Sequence, residues 1–194
     1  MNLELSPKAS EIVDCAQSLL AAGGYNGFSY ADISEAVRIS KPSVHHHFAS
    51  KADLVHTVVK RYREGARAGI AALEGRIPDP PGQLRAYVGY WAECIRDGSA
   101  PFCVCAMLAA EMPALPVEVG SEVRGHFEDL ADWLEAVLKR GAAEGAFHLR
   151  SPARAEAMAF MASVHGAMLA ARAHGDRDLF NTIMKPVLHG LANR

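Results

Sequence analysis

Hydrophobic side chains recur along this chain at the three- and four-residue steps of an amphipathic helix, from near its start to its end. In the first such segment the apolar positions are Ile12, Val13, Ala16, Leu19 and Leu20. No segment alternates convincingly in the two-residue period of a half-buried strand. The pattern therefore predicts an all-α protein with about nine helices.

Start and stop signals place the first of these helices. Ser6-Pro7 supplies an N-cap and a first-turn proline, and Gly23-Gly24 ends the first helix. Two later segments, Ser29-Tyr-Ala-Asp32 and Ser50-Lys-Ala-Asp53, have the spacing of a capping box, so each is expected to open another helix. Between them, Ser40 is expected to cap a third, short helix.

The two short helices have the lengths and spacing of a helix-turn-helix. The first is expected over Tyr30–Val37, the turn over residues 38–40, and the second over Lys41–Phe48. Such a unit seats its second helix in the major groove of DNA. The apolar side chains expected to hold the two helices at an angle are Ile33, Val37, Val44 and Phe48.

The strongest break in the chain is Pro78-Asp-Pro-Pro-Gly82. It predicts a head over residues 1–50 (with the motif at about 30–48), a connecting helix over 51–75, and a helical body over 76–194. The body's apolar stripes predict helices through Leu84–Ile95, over residues 101–112, through Val123–Leu138, from Pro152 to about His174, and through Leu179–Leu191. The helix over 101–112 is apolar all round and is expected to be buried.

The charged residues are distributed unevenly along the chain, and this suggests a binding partner. The chain has a formal net charge of −2. Residues 38–67, however, contain seven Lys or Arg against two acids, whereas residues 77–194 contain eleven basic and fourteen acidic residues. A basic segment on an acidic chain suits a polyanionic partner at one end, although a solvated helix face with a chance excess of positive charge is the alternative.

The sequence also indicates the compartment. No apolar stretch reaches the roughly 18–20 residues of a membrane span, and residues 1–7 lack the features of a signal peptide. The cysteines, which have no disulfide-framework spacing, are then expected to be reduced thiols in the cytoplasm. No membrane partner is expected.

The head resembles that of the TetR family of bacterial transcriptional regulators. Heads of this family usually contain Ile-Ala and then Ala-Gly-Val-Ser-Lys-Gly-Thr-Leu-Tyr-x-His/Tyr-Phe-x-Ser-Lys-x-x-Leu. This chain has Ile33-Ser34 and then Val37-Arg-Ile-Ser-Lys-Pro-Ser-Val-His-His-His-Phe-Ala-Ser-Lys-Ala-Asp-Leu54. The similarity covers about Lys8 to Val59, whereas the body is similar only in helix pattern and length.

The resemblance implies two sets of DNA contacts. Phosphates would be bound by Tyr30, Lys41, His45 and Lys51, and bases would be faced by Ser43, His46 and Ser40. Arg38 stands where the family usually has a turn glycine, so it either accepts an unfavourable backbone conformation or uses its charge on the DNA backbone. His45 stands at a usual tyrosine, which would make part of the affinity pH-dependent near the ordinary imidazole pKa of about 6.5.

Several body residues could line an effector pocket, because a regulator needs an apolar cavity with one or two polar groups. The candidates are Trp91, Phe102, Cys103, Met107, Phe127, Met161, His165 and Met168. For the methionines the alternative is plain core packing. Cys103 is either a small buried side chain or a reactive thiol whose pKa the amides at the start of its helix would lower.

Other chemistry is not expected. Three consecutive histidines, such as His45 to His47, point about 100° apart on a helix and cannot converge on one metal ion. Cys103 and Cys105 lie on nearly opposite sides of a helix, which disfavours a shared zinc ion or a mutual disulfide. Without a Gly-rich phosphate loop, H-E-x-x-H or C-x-x-C, the chain is expected to be no enzyme and to need no cofactor.

The resemblance implies a homodimeric repressor that binds a palindromic DNA operator and is released by a small-molecule effector or an electrophile. A dimer formed by the last two long helices would suit the small residues Ala155, Ala159, Ala162, Gly166 and Ala170, which permit close helix packing. The alternative is a constitutive DNA-binding regulator without a small-molecule ligand.

Overall fold

A computed structural model describes residues 5–100 and 102–192, and within that part the chain forms nine α-helices. They are α1 (Pro7–Gly23), α2 (Tyr30–Val37), α3 (Lys41–His47), α4 (Lys51–Arg76), α5 (Pro80–Asp97), α6 (Val104–Ala109), α7 (Val117–Ala143), α8 (Ala153–His174) and α9 (Leu179–Leu191). Single 3-10 turns lie at Tyr25–Gly27 and Met112–Ala114. The all-α prediction is confirmed.

The predicted helix starts are confirmed at the atomic level. The Ser6 hydroxyl accepts a hydrogen bond from the Ala9 N–H at 3.2 Å and caps α1. Asp32 accepts from the Ser29 N–H at 2.6 Å in the capping box of α2. Asp53 accepts from the Ser50 N–H at 3.0 Å at the start of α4. These bonds satisfy N–H groups that a helix start otherwise leaves without partners.

The buried helix is shorter than expected. The expected start at Pro101 lies outside the described residues, and Phe102 and Cys103 precede the helix, with Cys103 as the N-cap of α6. After Ala109 the chain turns into the 3-10 segment that contains Pro113, a residue that cannot donate a helical hydrogen bond. The prediction that the segment is buried is confirmed at Val104, Cys105 and Leu108.

The chain divides into two compact units. The first comprises Met1–Gly65 and Cys103–His126, so α6 and the start of α7 pack with the head, and α6 contacts α1. Its core includes Ile12, Leu20, Ile33, Val44, Leu54, Val58 and Leu108, all fully buried. The second comprises Ala66–Phe102 and Phe127–Arg194; in it α8 packs on α9, and both helices have buried side chains, among them Phe160, Val164, Phe180 and Met184. No helix of the described residues is both long and apolar enough to cross a membrane.

Candidate functional site

The predicted helix-turn-helix is present with a turn of three residues between α2 and α3. Ile33 of α2 and Val44 of α3 are fully buried, and Phe48 is buried directly after α3. Buried side chains on both helices fix their positions in the unit, because each helix would otherwise be too short to be stable. One face of α3 is therefore presented to solvent in a defined orientation.

Arg38, the C-cap of α2, begins the turn in a left-handed backbone conformation, with φ 55° and ψ 48°. Its N–H donates to the Glu35 carbonyl at 3.3 Å, and the Ile39 N–H donates to the Ser34 carbonyl at 3.1 Å. A side chain in this conformation brings Cβ close to the backbone, which is why glycine is preferred there. The expected unfavourable backbone is confirmed, and the Arg38 side chain is exposed.

Replacing Arg38 by glycine is expected to raise the free energy of unfolding by about 1 kcal/mol or less, because relief of the left-handed strain outweighs the added freedom of the unfolded chain. Urea denaturation measures this change. The same variant tests the charge: if Arg38 contacts one phosphate, the slope of log affinity against log salt falls by about 0.9. A loss of stability would contradict the strain argument.

The exposed face of α3 has long polar side chains at Lys41, His45 and His46. Ser40 is the N-cap of α3: its hydroxyl oxygen accepts from the Ser43 N–H at 3.3 Å, and the two hydroxyls lie 2.9 Å apart. The serines are therefore joined to each other at the start of the helix. Lys41 extends from this capped end of α3, whereas His45 and His46 lie in its last turn.

Tyr30 supports this surface from α2. Its hydroxyl donates to the Phe48 carbonyl at 3.0 Å, and its ring meets the His45 ring edge-on, with centroids 4.7 Å apart. Burial, with smaller contributions from Asp53 and Tyr25, raises the pKa of Tyr30 to about 12. The hydroxyl keeps its single proton at neutral pH, and because that proton is donated to Phe48, a bond to phosphate would require its release.

Lys51 joins the start of α4 to the loop before α2. Its ammonium donates to the Phe28 carbonyl and lies 4.2 Å from the centroid of the Phe28 ring and 5.0 Å from that of Tyr25. Burial lowers the pKa of Lys51, opposed by the charges of Glu111 and Asp32. An ammonium has three N–H donors, so the bond to Phe28 leaves donor capacity for a phosphate oxygen.

The predicted effector residues fall into both compact units. Cys103 and Met107 belong to the unit that contains the head, and the other six belong to the second. Trp91, Phe102, Cys103, Met161 and Met168 are buried, whereas Met107, Phe127 and His165 are half-buried. Within the second unit the structure brings Phe127 and His165 together, with ring centroids 5.3 Å apart.

Three buried polar atoms among the described residues have no hydrogen-bond partner: Trp91 Nε1, Trp133 Nε1 and His165 Nε2. Burial lowers the pKa of His165 to about 4, although a hydrogen bond to the Met161 backbone opposes the shift. The imidazole is therefore neutral at pH 7. The sequence gives no signal that Trp133 is a site residue, because nothing in its helical stripe distinguishes it from a core residue.

Cys103 lies in a buried cluster with two residues that the sequence did not single out as a site. The Tyr62 hydroxyl donates to Cys103 Sγ at 3.4 Å, and His126 Nε2 lies 4.0 Å from the same sulfur. Burial raises the pKa of Cys103 and outweighs the lowering by Tyr62 and by the amides of Ala106 and Cys105. The expected lowering of this pKa is therefore wrong: the amides are present, but removal of the thiolate from water dominates.

The small residues of α8 form an exposed face. Ala155, Ala159, Ala162 and Gly166 are exposed, and Ala170 is half-buried. Two large apolar side chains are exposed on the same helix, Met158 at 47% and Leu169 at 59%. Beside α8, a groove of about 210 Å³ is lined by residues that include His148, Glu156, Phe160, Ser163 and Val187. This part of the second unit is a candidate interface for another protein chain.

Comparison with known proteins gives consistent matches along the chain. Residues 12–58 match the family model described as bacterial regulatory proteins, tetR family, and residues 80–187 match the tetracyclin repressor-like C-terminal domain. A TetR-family transcriptional regulator from Agrobacterium tumefaciens is 57% identical and has a TM-score of 0.94, covering 96% of this chain and 98% of its own. Curated protein sequences give no match.

Two more distant structures share the fold. The reduced form of NemR from E. coli is 16% identical, with a TM-score of 0.82 over 96% of this chain and 98% of its own. A regulator from Saccharomonospora viridis in complex with choline is 19% identical, with a TM-score of 0.82 over 98% of this chain and 100% of its own.

Proposed function

Because the chain belongs to the TetR family of bacterial transcriptional regulators, we propose that it is a homodimeric repressor that binds a palindromic operator and is released by a small molecule or an electrophile. One observation carries the DNA-binding part. Lys41, His45 and His46 are exposed on a short helix that buried contacts and caps hold at a three-residue turn. This is the geometry that places side chains in the major groove.

The proposed DNA contacts follow the exposed side of the head. Lys41, His45 and Lys51 bind phosphates together with Arg38, and Tyr30 does so only if it releases the Phe48 carbonyl. His46, Ser43 and Ser40 face bases. In this proposal residues 1–50 bind DNA, residues 51–75 connect the head to the body, and residues 76–194 bind the effector and the partner chain. As a regulator of transcription, the protein acts in the cytoplasm.

Dimerisation through α8 and α9 is supported by the exposed small-residue face of α8. Small side chains let two helices approach closely, and the exposed Met158 and Leu169 supply apolar area at its margin. Two heads related by a twofold axis would contact half-sites one DNA turn apart, about 34–36 Å. A palindromic operator is the DNA sequence that matches this symmetry.

Effector binding is supported by the polar atoms that the second unit leaves without partners. A buried donor or acceptor without a hydrogen bond costs about 1–3 kcal/mol, and a ligand can supply the missing partner. Trp91 and His165 are both predicted pocket residues and both have such an atom. The S. viridis neighbour, which shares the fold, is in complex with choline, and a small-molecule effector for this chain is consistent with that complex.

The test begins with selection of bound sequences from a pool of random duplexes. Enrichment of a palindrome with half-sites one turn apart supports the proposed dimeric repressor, and recovery of unrelated sequences contradicts it. Fluorescence anisotropy on the selected duplex then follows release by a panel of small molecules and thiol reagents. A coupling free energy of about 1–3 kcal/mol between effector and DNA corresponds to a loss of operator affinity of about 5–150-fold. A constitutive regulator would bind the operator equally in the presence of every compound.

Replacing Cys103 by serine tests whether an electrophile releases the operator by reacting with this thiol. If Cys103 is the sensor, N-ethylmaleimide releases the operator from the unmodified protein and fails to release it from Cys103→Ser, while operator affinity without reagent is unchanged. Because burial raises the pKa of this thiol, release by the reagent is expected to be slow at pH 7 and to accelerate about tenfold per pH unit. Release that survives in Cys103→Ser would assign the thiol to the core.

A further inference from the structure

Glu111, just beyond the end of α6, reaches the loop of residues 24–28 that connects α1 to α2. One of its carboxylate oxygens accepts from the Tyr25 N–H at 2.5 Å. The other accepts from the Asn26 N–H at 3.4 Å and from the Asn26 side-chain amide at 3.3 Å. One carboxylate thus binds two successive backbone amides and a side chain of the loop, and bonds to a charged acceptor are stronger than neutral ones.

Gly24 makes this contact possible. Its φ is +74°, a conformation that favours glycine, and a Cβ at this position would lie 2.3 Å from Glu111 Oε2. The carboxylate therefore packs against the loop backbone at a point where only glycine fits. From the sequence alone, Gly24 indicates only the end of α1, because Glu111, its neighbour in space, lies far away along the chain.

The other side of the same loop is held by Lys51, whose ammonium donates to the Phe28 carbonyl. The next residue, Ser29, is the N-cap of α2. The loop is thus held between Glu111 and the start of α4, and it leads directly into the helix-turn-helix. A movement of Glu111 would act on the position of α2 and, through Ile33 and Val44, on α3.

Helix α6 links Glu111 to the buried thiol. Cys103 is the N-cap of α6, and Glu111 follows the end of this six-residue helix by two residues. The helix packs on α1 in the same compact unit. Because a single short helix has few ways to deform, a change at the Cys103–Tyr62–His126 cluster displaces its far end as well.

We propose that Glu111 is the positioning residue that couples the Cys103 cluster to the DNA-binding head, through its hydrogen bonds to the loop at Tyr25 and Asn26. This inference rests on the proposed function, since it describes how an electrophile that reacts at Cys103 would change operator affinity. The coupling itself is a property of one compact unit, so it can be measured with and without DNA.

The first arm removes the contact. Glu111→Ala is expected to weaken operator binding on the order of tenfold and to accelerate hydrogen exchange at the Tyr25 and Asn26 amides. Glu111→Gln, which keeps one acceptor oxygen, should give intermediate values in both measurements. The matched control is Glu144→Gln, which changes an exposed carboxylate of the other unit and should alter neither. Exchange at the two amides that is unchanged in Glu111→Ala would overturn the proposal.

The second arm tests coupling with Cys103→Met, which adds bulk at the buried cluster and needs no identified effector. In the unmodified background it should accelerate exchange at the Tyr25 and Asn26 amides, and in the Glu111→Ala background its further effect should be less than half as large. Equal effects in both backgrounds, or a folded Cys103→Met without effect, would overturn the coupling. Failure of the unmodified protein to select an operator would instead count against the proposed function, because the exchange measurement requires no DNA.

Discussion

In the proposed dimer, replacing Ala162 by arginine is expected to separate the two chains into monomers and to weaken operator binding by about 100-fold or more. Ala162 lies in the exposed small-residue face of α8. A long charged side chain there would hold two helices apart and would lose its water if they closed. A monomer binds one half-site at a time, so it loses the joint binding that two linked heads provide.

Analytical ultracentrifugation measures the first effect and fluorescence anisotropy on the selected palindrome measures the second. The matched control is Ala68→Arg, which makes the same change at an exposed alanine of α4. The control should remain dimeric and keep its stability. If Ala162→Arg remains a dimer with full operator affinity, the exposed face of α8 is not the interface, whatever the oligomeric state of the protein.

The helix-turn-helix was accessible to sequence analysis because local interactions specify it. The capping boxes Ser29–Asp32 and Ser50–Asp53 each join residues three positions apart, and both form as expected. The turn of residues 38–40 also has its expected bounds, and the left-handed conformation of Arg38 follows from the position where the family usually has glycine. Signals of this kind depend on the backbone within one or two turns, which the sequence shows directly.

The contacts of the 103–126 segment could not be predicted in the same way. Glu111 meets Tyr25 across 86 positions, and Tyr62 meets Cys103 across 41. Nothing in the periodicity of α6 states which helix it will pack against, because an all-apolar helix has no preferred face. The predicted direction of the Cys103 pKa shift was wrong for the same reason. The amides near the thiol are local in the sequence, whereas the burial that dominates the shift comes from distant residues.

At Lys51, one role is predicted from the sequence and a second is visible only in the structure. Its match to the family pattern, at the start of α4, predicts a phosphate contact, whereas the structure adds a hydrogen bond to the Phe28 carbonyl and contacts with two aromatic rings. Replacing it by alanine is therefore expected to lower the free energy of unfolding by about 2 kcal/mol, from the lost charged hydrogen bond and cation–π contacts. Operator affinity should fall as well, because the loop before α2 loses one of its two attachments.

Lys41→Ala separates the two roles of Lys51. Lys41 is exposed on α3, so its loss should reduce the slope of log affinity against log salt by about 0.9 without a change in stability. Lys51→Ala should reduce the slope by the same amount and also lower the urea midpoint. A slope equal to that of the unmodified protein, together with a lower midpoint, would show that the Lys51→Ala substitution weakens DNA binding only through the loop. In that case the family-implied phosphate contact is absent here, and Lys51 acts with Glu111 to hold the head in position.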